Sequence, residues 1–117
     1  MNERQVKRAR IGQDIDLTGS RLKDGEVDKL FDFVTRIGQY LGQSHTERSS
    51  FTGPSSGGKF TRTETDTYTI ARDALGIFID HHHENYDDDG DGVNGVYDER
   101  VDGARGIIQL LTSMFGW

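Results

Sequence analysis

The amino-acid sequence predicts an all-α protein. Three segments carry mostly apolar residues at intervals of three or four, the spacing that places side chains on one face of an α-helix. In chain order these positions are Val27, Leu30, Phe31, Val34, Ile37 and Leu41; Tyr68, Ala71, Leu75, Phe78, His82 and Tyr86; and Val101, Ala104, Ile108, Leu111 and Phe115. The last two segments flank an acidic stretch, so the C-terminal half is predicted to be a helix, a loop and a second helix.

The first predicted helix belongs to an N-terminal helical unit, residues 1–43. Asp24 precedes its apolar face and is a suitable N-cap residue. The other two predicted helices belong to a second unit, residues 67–117. Between the units, residues 44–66 are rich in Gly, Ser and Thr and contain the only proline of the chain, Pro54. This composition is typical of a flexible loop, which predicts two helical units joined by a flexible connection.

The acidic stretch has the spacing of a calcium-binding loop. Asp87, Asp89 and Asp91 alternate with other residues, Gly92 follows, and five residues separate this glycine from Asp98. Calcium takes about six to eight oxygen ligands, and a loop of about twelve residues supplies them from alternating positions, with glycine where the chain turns sharply. The spacing therefore predicts a calcium site.

This helix, loop and helix resemble an EF-hand over most of the C-terminal unit. The resemblance implies the following ligands: the side chains of Asp87, Asp89 and Asp91 and the backbone carbonyl of Val93. The closing ligand is Asp98, or Glu99 if the loop is one residue longer. A closing aspartate favours Mg²⁺ relative to Ca²⁺, because its shorter side chain reaches the ion less fully.

A weaker form of the same pattern precedes the first predicted helix. Asp14, Asp16 and Thr18 alternate in the same way, a glycine follows, and Glu26 corresponds in position to Glu99. EF-hands usually occur in pairs. Two interpretations therefore stay open at this stage, a degenerate second ion site and a capped turn that leads into the helix.

The histidine triplet His81, His82 and His83 invites a transition-metal interpretation. On a helix, consecutive side chains point about 100° apart, so three adjacent imidazoles cannot share one ion. At most, His81 or Asp80 could act together with Glu84. The helical prediction places His82 on the apolar face, partly buried, and leaves His81 and His83 on the polar surface.

Composition excludes several classes of protein. The chain has 117 residues, a net charge of −6 and no cysteine, so disulfides and zinc–thiolate sites are excluded. The negative charge argues against nucleic-acid binding by the domain as a whole. No apolar run approaches the roughly 20 residues of a membrane span, and the first residues lack the apolar stretch of a secretory signal. We therefore expect no membrane association and a cytoplasmic location.

These observations predict a calcium-binding regulatory or structural interaction protein. Its partner would be an unidentified protein or a second copy of the chain. The alternative is a metal-independent acidic adaptor or inhibitor that binds a basic surface, as a nucleic-acid mimic does. The sequence shows no paired nucleophile and base, and the serines cluster in the predicted flexible loop, so we do not expect an enzyme.

Overall fold

The computed structural model of the chain describes residues 2–55, 58–87 and 92–117. Within these residues there are four helices and one four-stranded antiparallel sheet, whose strands follow one another in chain order. The elements are α1 (Glu3–Gly12), α2 (Asp24–Thr35), α3 (Ile37–Tyr40), β1 (Ser44–Ser55), β2 (Gly58–Asp73), β3 (Gly76–Asp87), β4 (Gly92–Val101) and α4 (Ala104–Phe115).

The helices begin and end where local chemistry favours it. At α1, the Gln5 backbone N–H donates to the Asn2 side chain and the Asn2 N–H donates to the Gln5 side chain, both at 2.8 Å. This reciprocal pair satisfies backbone donors that the first turn of a helix leaves unpaired. At the other end of the chain, α4 stops at Gly116, whose φ of 73° is readily adopted by glycine.

One apolar core joins the helices to one end of the sheet. The buried residues of α1, α2 and α4 include Ile11, Phe33 and Leu111, and the fully buried side chains that join them from the described part of the sheet are three isoleucines. These isoleucines are Ile70 on β2 and Ile77 and Ile79 on β3. The core therefore ends where the sheet leaves the helices.

The rest of the sheet extends away from this core. We call residues 44–55, 58–69, 80–87 and 92–100 the projecting half of the sheet. No described apolar side chain in it is buried. The molecule measures 67 × 26 × 25 Å and has a radius of gyration of 18.3 Å, whereas a compact domain of this length would have about 13 Å. The projecting half thus depends on cross-strand contacts rather than on a covering layer.

The all-α prediction is wrong, because residues 44–55, 58–73, 76–87 and 92–101 form a four-stranded sheet. The second predicted helix is a hairpin of β2 and β3, whose turn at Ala74 and Leu75 interrupts the apparent helical spacing. The predicted flexible loop is β1 and the beginning of β2, apart from residues 56–57, which lie outside the described part. Pro54 occupies an edge strand, which tolerates proline.

The other two apolar patterns gave the correct element type. The stripe that begins at Val27 lies on α2 and continues into the short α3. The stripe that ends at Phe115 lies on α4, although its first residue, Val101, is the last residue of β4.

Candidate metal centre on the projecting half of the sheet

The histidine triplet lies on β3, not on a helix. Successive side chains of a strand point to opposite faces. His81 and His83 therefore share one face of the sheet, which we call the site face, and His82 lies on the opposite face. Three adjacent imidazoles cannot share one ion on a helix, but alternate residues of a strand can, because their side chains lie on the same face of the sheet.

Asp66 brings the two imidazoles of the site face together. It lies directly opposite His83 in the pairing of β2 with β3. Its Oδ1 atom is 2.7 Å from His83 Nδ1 and 2.7 Å from His81 Nε2. The side chains of His81 and His83 are each 13% exposed and that of Asp66 is 25% exposed. Three potential ligand atoms thus converge on one partly buried point.

Two tyrosines fix the planes of the imidazole rings. Tyr68, the cross-strand partner of His81, stacks on it with a centroid distance of 4.5 Å and an interplanar angle of 19°. Tyr97, the partner of His83 on β4, stacks on it at 4.8 Å and 23°. Such pairs hold the rings in place by contact area and shape. The three ligand atoms are therefore held by five side chains from three strands.

Glu99 lies beside His81, on the side away from Asp66. It is the β4 partner of His81, and its Oε2 atom is 3.4 Å from His81 Nδ1. The two nitrogens of His81 thus face two different carboxylates, Nε2 toward Asp66 and Nδ1 toward Glu99. The preceding residue of β4, Asp98, points to the opposite face, where His82 Nδ1 is 2.7 Å from its Oδ1.

The electrostatics keep Asp66 ionised and Tyr68 neutral. Burial alone would raise the pKa of Asp66, but the hydrogen bonds from His81 and His83 outweigh it, and the pKa is lowered. Burial raises the pKa of Tyr68, and the nearby carboxylates raise it further. The centre therefore presents a carboxylate, two imidazoles and a phenol that retains its proton.

Two imidazole nitrogens and one carboxylate oxygen are a ligand set for a divalent transition metal. Zinc binds His nitrogen and Asp oxygen at about 2.0–2.2 Å, and similar donors suit copper, nickel, cobalt and iron. The three atoms all lie within 4.8 Å of one another. Ligands of a tetrahedral zinc ion are on the order of 3.3 Å apart. To admit the ion, Asp66 Oδ1 must therefore move about half an ångström away from each nitrogen, and the two nitrogens must adopt the same spacing from each other.

The residues of the predicted calcium loop do not converge in the described part of the chain. Asp87 is buried, with 5% of its surface exposed, and forms a bidentate ion pair with Arg62 at 2.7 and 3.0 Å. It lies opposite Gly92 at the end of the β3–β4 hairpin. Asp98 is about 20 Å further along β4, at ~3.3 Å per residue, so it cannot close a loop around an ion held at Asp87.

Two more of the predicted calcium ligands, Val93 and Glu99, lie in the described part of the chain. Val93 is paired with Tyr86 in the β3–β4 ladder. Glu99 lies on the site face beside His81. Asp89 and Asp91 lie outside the described residues. The helix, loop and helix that the EF-hand resemblance implied is thus replaced by a β-hairpin.

The weaker N-terminal pattern is a set of separate local contacts. Asp14 pairs with Arg10 at 2.6 Å, and Asp16 accepts a hydrogen bond from the Thr18 backbone N–H at 2.9 Å. Glu26 accepts from the Lys23 backbone N–H at 2.9 Å and from Arg105 at 2.6 Å. These contacts match the capped-turn interpretation.

The histidine triplet is conspicuous in the sequence, whereas Asp66 is not. Asp66 is one of the polar residues that alternate with Thr61, Thr63, Thr65, Thr67 and Thr69 along β2. Threonine at every second position is typical of a strand, because β-branched residues favour extended backbone. That alternation, together with the His-x-His spacing, was the available signal for an Asp and two His on one face.

Comparison of the chain with models of protein families, with curated proteins and with solved structures finds no match. None of the described helices is both long and apolar enough to cross a membrane. The function of the chain is therefore inferred from the geometry of the projecting half.

Proposed function

We propose that this protein binds a divalent transition metal ion of the zinc class through Asp66, His81 and His83. The observation that carries the proposal is the position of Asp66 Oδ1, 2.7 Å from a nitrogen of each of two histidines on one sheet face. An ionised carboxylate and neutral imidazoles are the forms that bind such an ion.

The ion would act as a structural cross-link. Asp66 is on β2, and His81 and His83 are on β3, so one ion ties two strands of the projecting half. This half has no buried apolar side chain among its described residues to hold it. Small folds with little core commonly gain stability from a bound metal, because the binding free energy adds to the folding free energy.

A structural or interaction role fits this placement better than catalysis. The ligands lie on the face of an open sheet, and the neighbouring Tyr97 is half exposed. Catalytic metal centres are usually set in a shaped cavity that surrounds the substrate. We therefore propose a non-enzymatic metal-binding protein whose projecting sheet is available to a partner.

Calorimetric titration of chelator-treated protein tests the proposal. We expect saturable binding of one Zn²⁺ per chain, and loss of this binding in His81→Ala, His83→Ala and Asp66→Ala. The matched control is His82→Ala, which removes the neighbouring imidazole from the opposite face and should leave Zn²⁺ binding unchanged.

Two results would contradict the proposal. One is the absence of saturable binding of Zn²⁺, Co²⁺ and Ni²⁺ by the unaltered chain, which would favour the metal-independent acidic adaptor. The other is equal loss of Zn²⁺ binding in His82→Ala and His81→Ala, which would mean that the site face does not define the ligands.

A further inference from the structure

We infer that Glu99 is the positioning residue of the metal centre, because it holds His81 in the form that binds an ion through Nε2. This inference rests on the proposed metal function and extends it to the carboxylate outside the ligand set. It concerns one contact, between Glu99 Oε2 and His81 Nδ1 at 3.4 Å.

Binding of an ion through Nε2 requires one particular tautomer of His81. A neutral imidazole carries one proton, so a ring that binds an ion through Nε2 must carry its proton on Nδ1. Asp66 Oδ1 lies 2.7 Å from His81 Nε2, and a direct hydrogen bond between these two atoms favours a proton on that nitrogen instead. A second carboxylate on the Nδ1 side opposes this preference.

Glu99 is placed to supply that second carboxylate. It is directly opposite His81 in the β3–β4 pairing, on the side away from Asp66. Histidines that bind metals generally donate their other ring N–H to a carboxylate, a backbone carbonyl or water, and this partner orients the ring and raises its basicity. The sheet therefore aligns Asp66, His81 and Glu99 across β2, β3 and β4.

His83 is oriented differently. It faces Asp66 through Nδ1, so in the metal-bound form its proton lies on Nε2, and its ring plane is held by the stack with Tyr97, as that of His81 is by the stack with Tyr68. The centre is thus asymmetric, with one histidine presented through Nε2 and the other through Nδ1.

The neighbouring residue provides a matched control. Asp98 makes a contact of the same kind, with its Oδ1 atom 2.7 Å from His82 Nδ1, but on the opposite face. Glu99 and Asp98 are both exposed residues of β4, so replacement of either is expected to leave the fold intact. Circular dichroism and thermal unfolding of the metal-free variants check that expectation.

The test is Zn²⁺ affinity in Glu99→Gln, Glu99→Ala and Asp98→Ala. Loss of an outer partner typically weakens metal affinity about 10- to 100-fold. We expect a loss of that size in Glu99→Ala, a smaller loss in Glu99→Gln, which keeps an acceptor without the charge, and unchanged affinity in Asp98→Ala.

A second readout follows the proton itself. In the Zn²⁺-loaded chain, the ¹⁵N spectrum of the imidazole should show the proton of His81 on Nδ1, and its exchange with water should be faster in Glu99→Ala. Unaltered Zn²⁺ affinity in Glu99→Ala, or a proton on Nε2 in the loaded chain, would overturn the role of Glu99 while the metal site itself stands. Absence of Zn²⁺ binding by the unaltered chain would overturn both.

Discussion

Asp66 and His81 meet diagonally across two strands. The direct cross-strand partner of His81 is Tyr68, yet Asp66 Oδ1 lies 2.7 Å from His81 Nε2 and equally far from His83 Nδ1. Diagonal neighbours on one sheet face are about 7–8 Å apart at Cα, within reach of long side chains. One carboxylate oxygen thereby serves two imidazoles that are two residues apart on the same strand.

Zinc should raise the thermal stability of the chain. A ligand at 100 times its dissociation constant stabilises the folded state by about 2.7 kcal/mol, which for a domain of this size is a shift on the order of ten degrees. Differential scanning fluorimetry with and without Zn²⁺ measures it, with His81→Ala as the variant that should lose the shift. An equal shift in His81→Ala would show that the stabilising ion binds elsewhere.

Leu111 should contribute strongly to the stability of the core. It is fully buried on α4 among the residues that join the helices to the sheet. Leu111→Ala should lower the free energy of unfolding by about 2–5 kcal/mol, because it leaves a cavity. Leu75→Ala, at a turn position that is 84% exposed, should change it by less than about 0.5 kcal/mol. If urea unfolding gave similar losses of unfolding free energy for the two variants, Leu111 would not lie in the core.

Gly76 should not tolerate a side chain. Its φ is 128°, and a Cβ atom there would overlap the carbonyl oxygen of Asp14. That oxygen also accepts the Ile77 backbone N–H at 2.9 Å. Gly76→Ala should therefore cost at least about 1–3 kcal/mol in the free energy of unfolding. The control is Gly25→Ala on α2, where a Cβ meets open space and where alanine should be neutral or slightly stabilising. Equal stability of the two variants would exclude this tight approach.

Glu26 should make stability depend on pH in the acidic range. The hydrogen bond from the Lys23 backbone N–H lowers its pKa from the ordinary value of 4.5, and the charge of Arg105 lowers it further. Because this pKa is lower in the folded than in the unfolded state, ionised Glu26 stabilises the folded chain at pH values above the unfolded pKa. This stabilisation is lost as the pH falls through the folded pKa.

The corresponding variant is Glu26→Gln. It should be less stable than the unaltered chain at pH 7, and the difference should shrink below pH ~4. Urea unfolding at several pH values measures it. Glu3→Gln, which alters a far more exposed carboxylate in the first turn of α1, is expected to change stability little. If the unfolding free energies of Glu26→Gln and the unaltered chain differed by the same amount at every pH, the lowered pKa of Glu26 would not be the cause of the difference.

The helices were predictable because they bury an apolar face. Val27, Leu30 and Val34 lie in the core on α2, as Ile108 and Leu111 do on α4, and burial of this kind produces the helical spacing. The projecting half buries no described apolar side chain, so its sequence lacks the alternation of apolar and polar residues that reveals most strands.

The candidate site was only half predictable, because it lies on strands that lack this alternation. The triplet at His81 is evident in the sequence, but a helix would separate His81 and His83, which a strand places on one face. Asp66 comes from a strand that the sequence presented as a polar loop. The spacing at Asp87 matched a calcium loop, but a motif specifies a site only in its structural context, and here that context is a hairpin with Asp87 paired to Arg62.

The response of the four histidines to zinc tests the proposed metal centre most directly. Side-chain ¹H–¹⁵N spectra of the chain, recorded during a Zn²⁺ titration, report each imidazole separately. We predict that the signals of His81 and His83 change together and saturate at one ion per chain, while His82 and His45 keep their metal-free signals. A change at His82, or no change at His81 and His83, would contradict a metal centre on the site face.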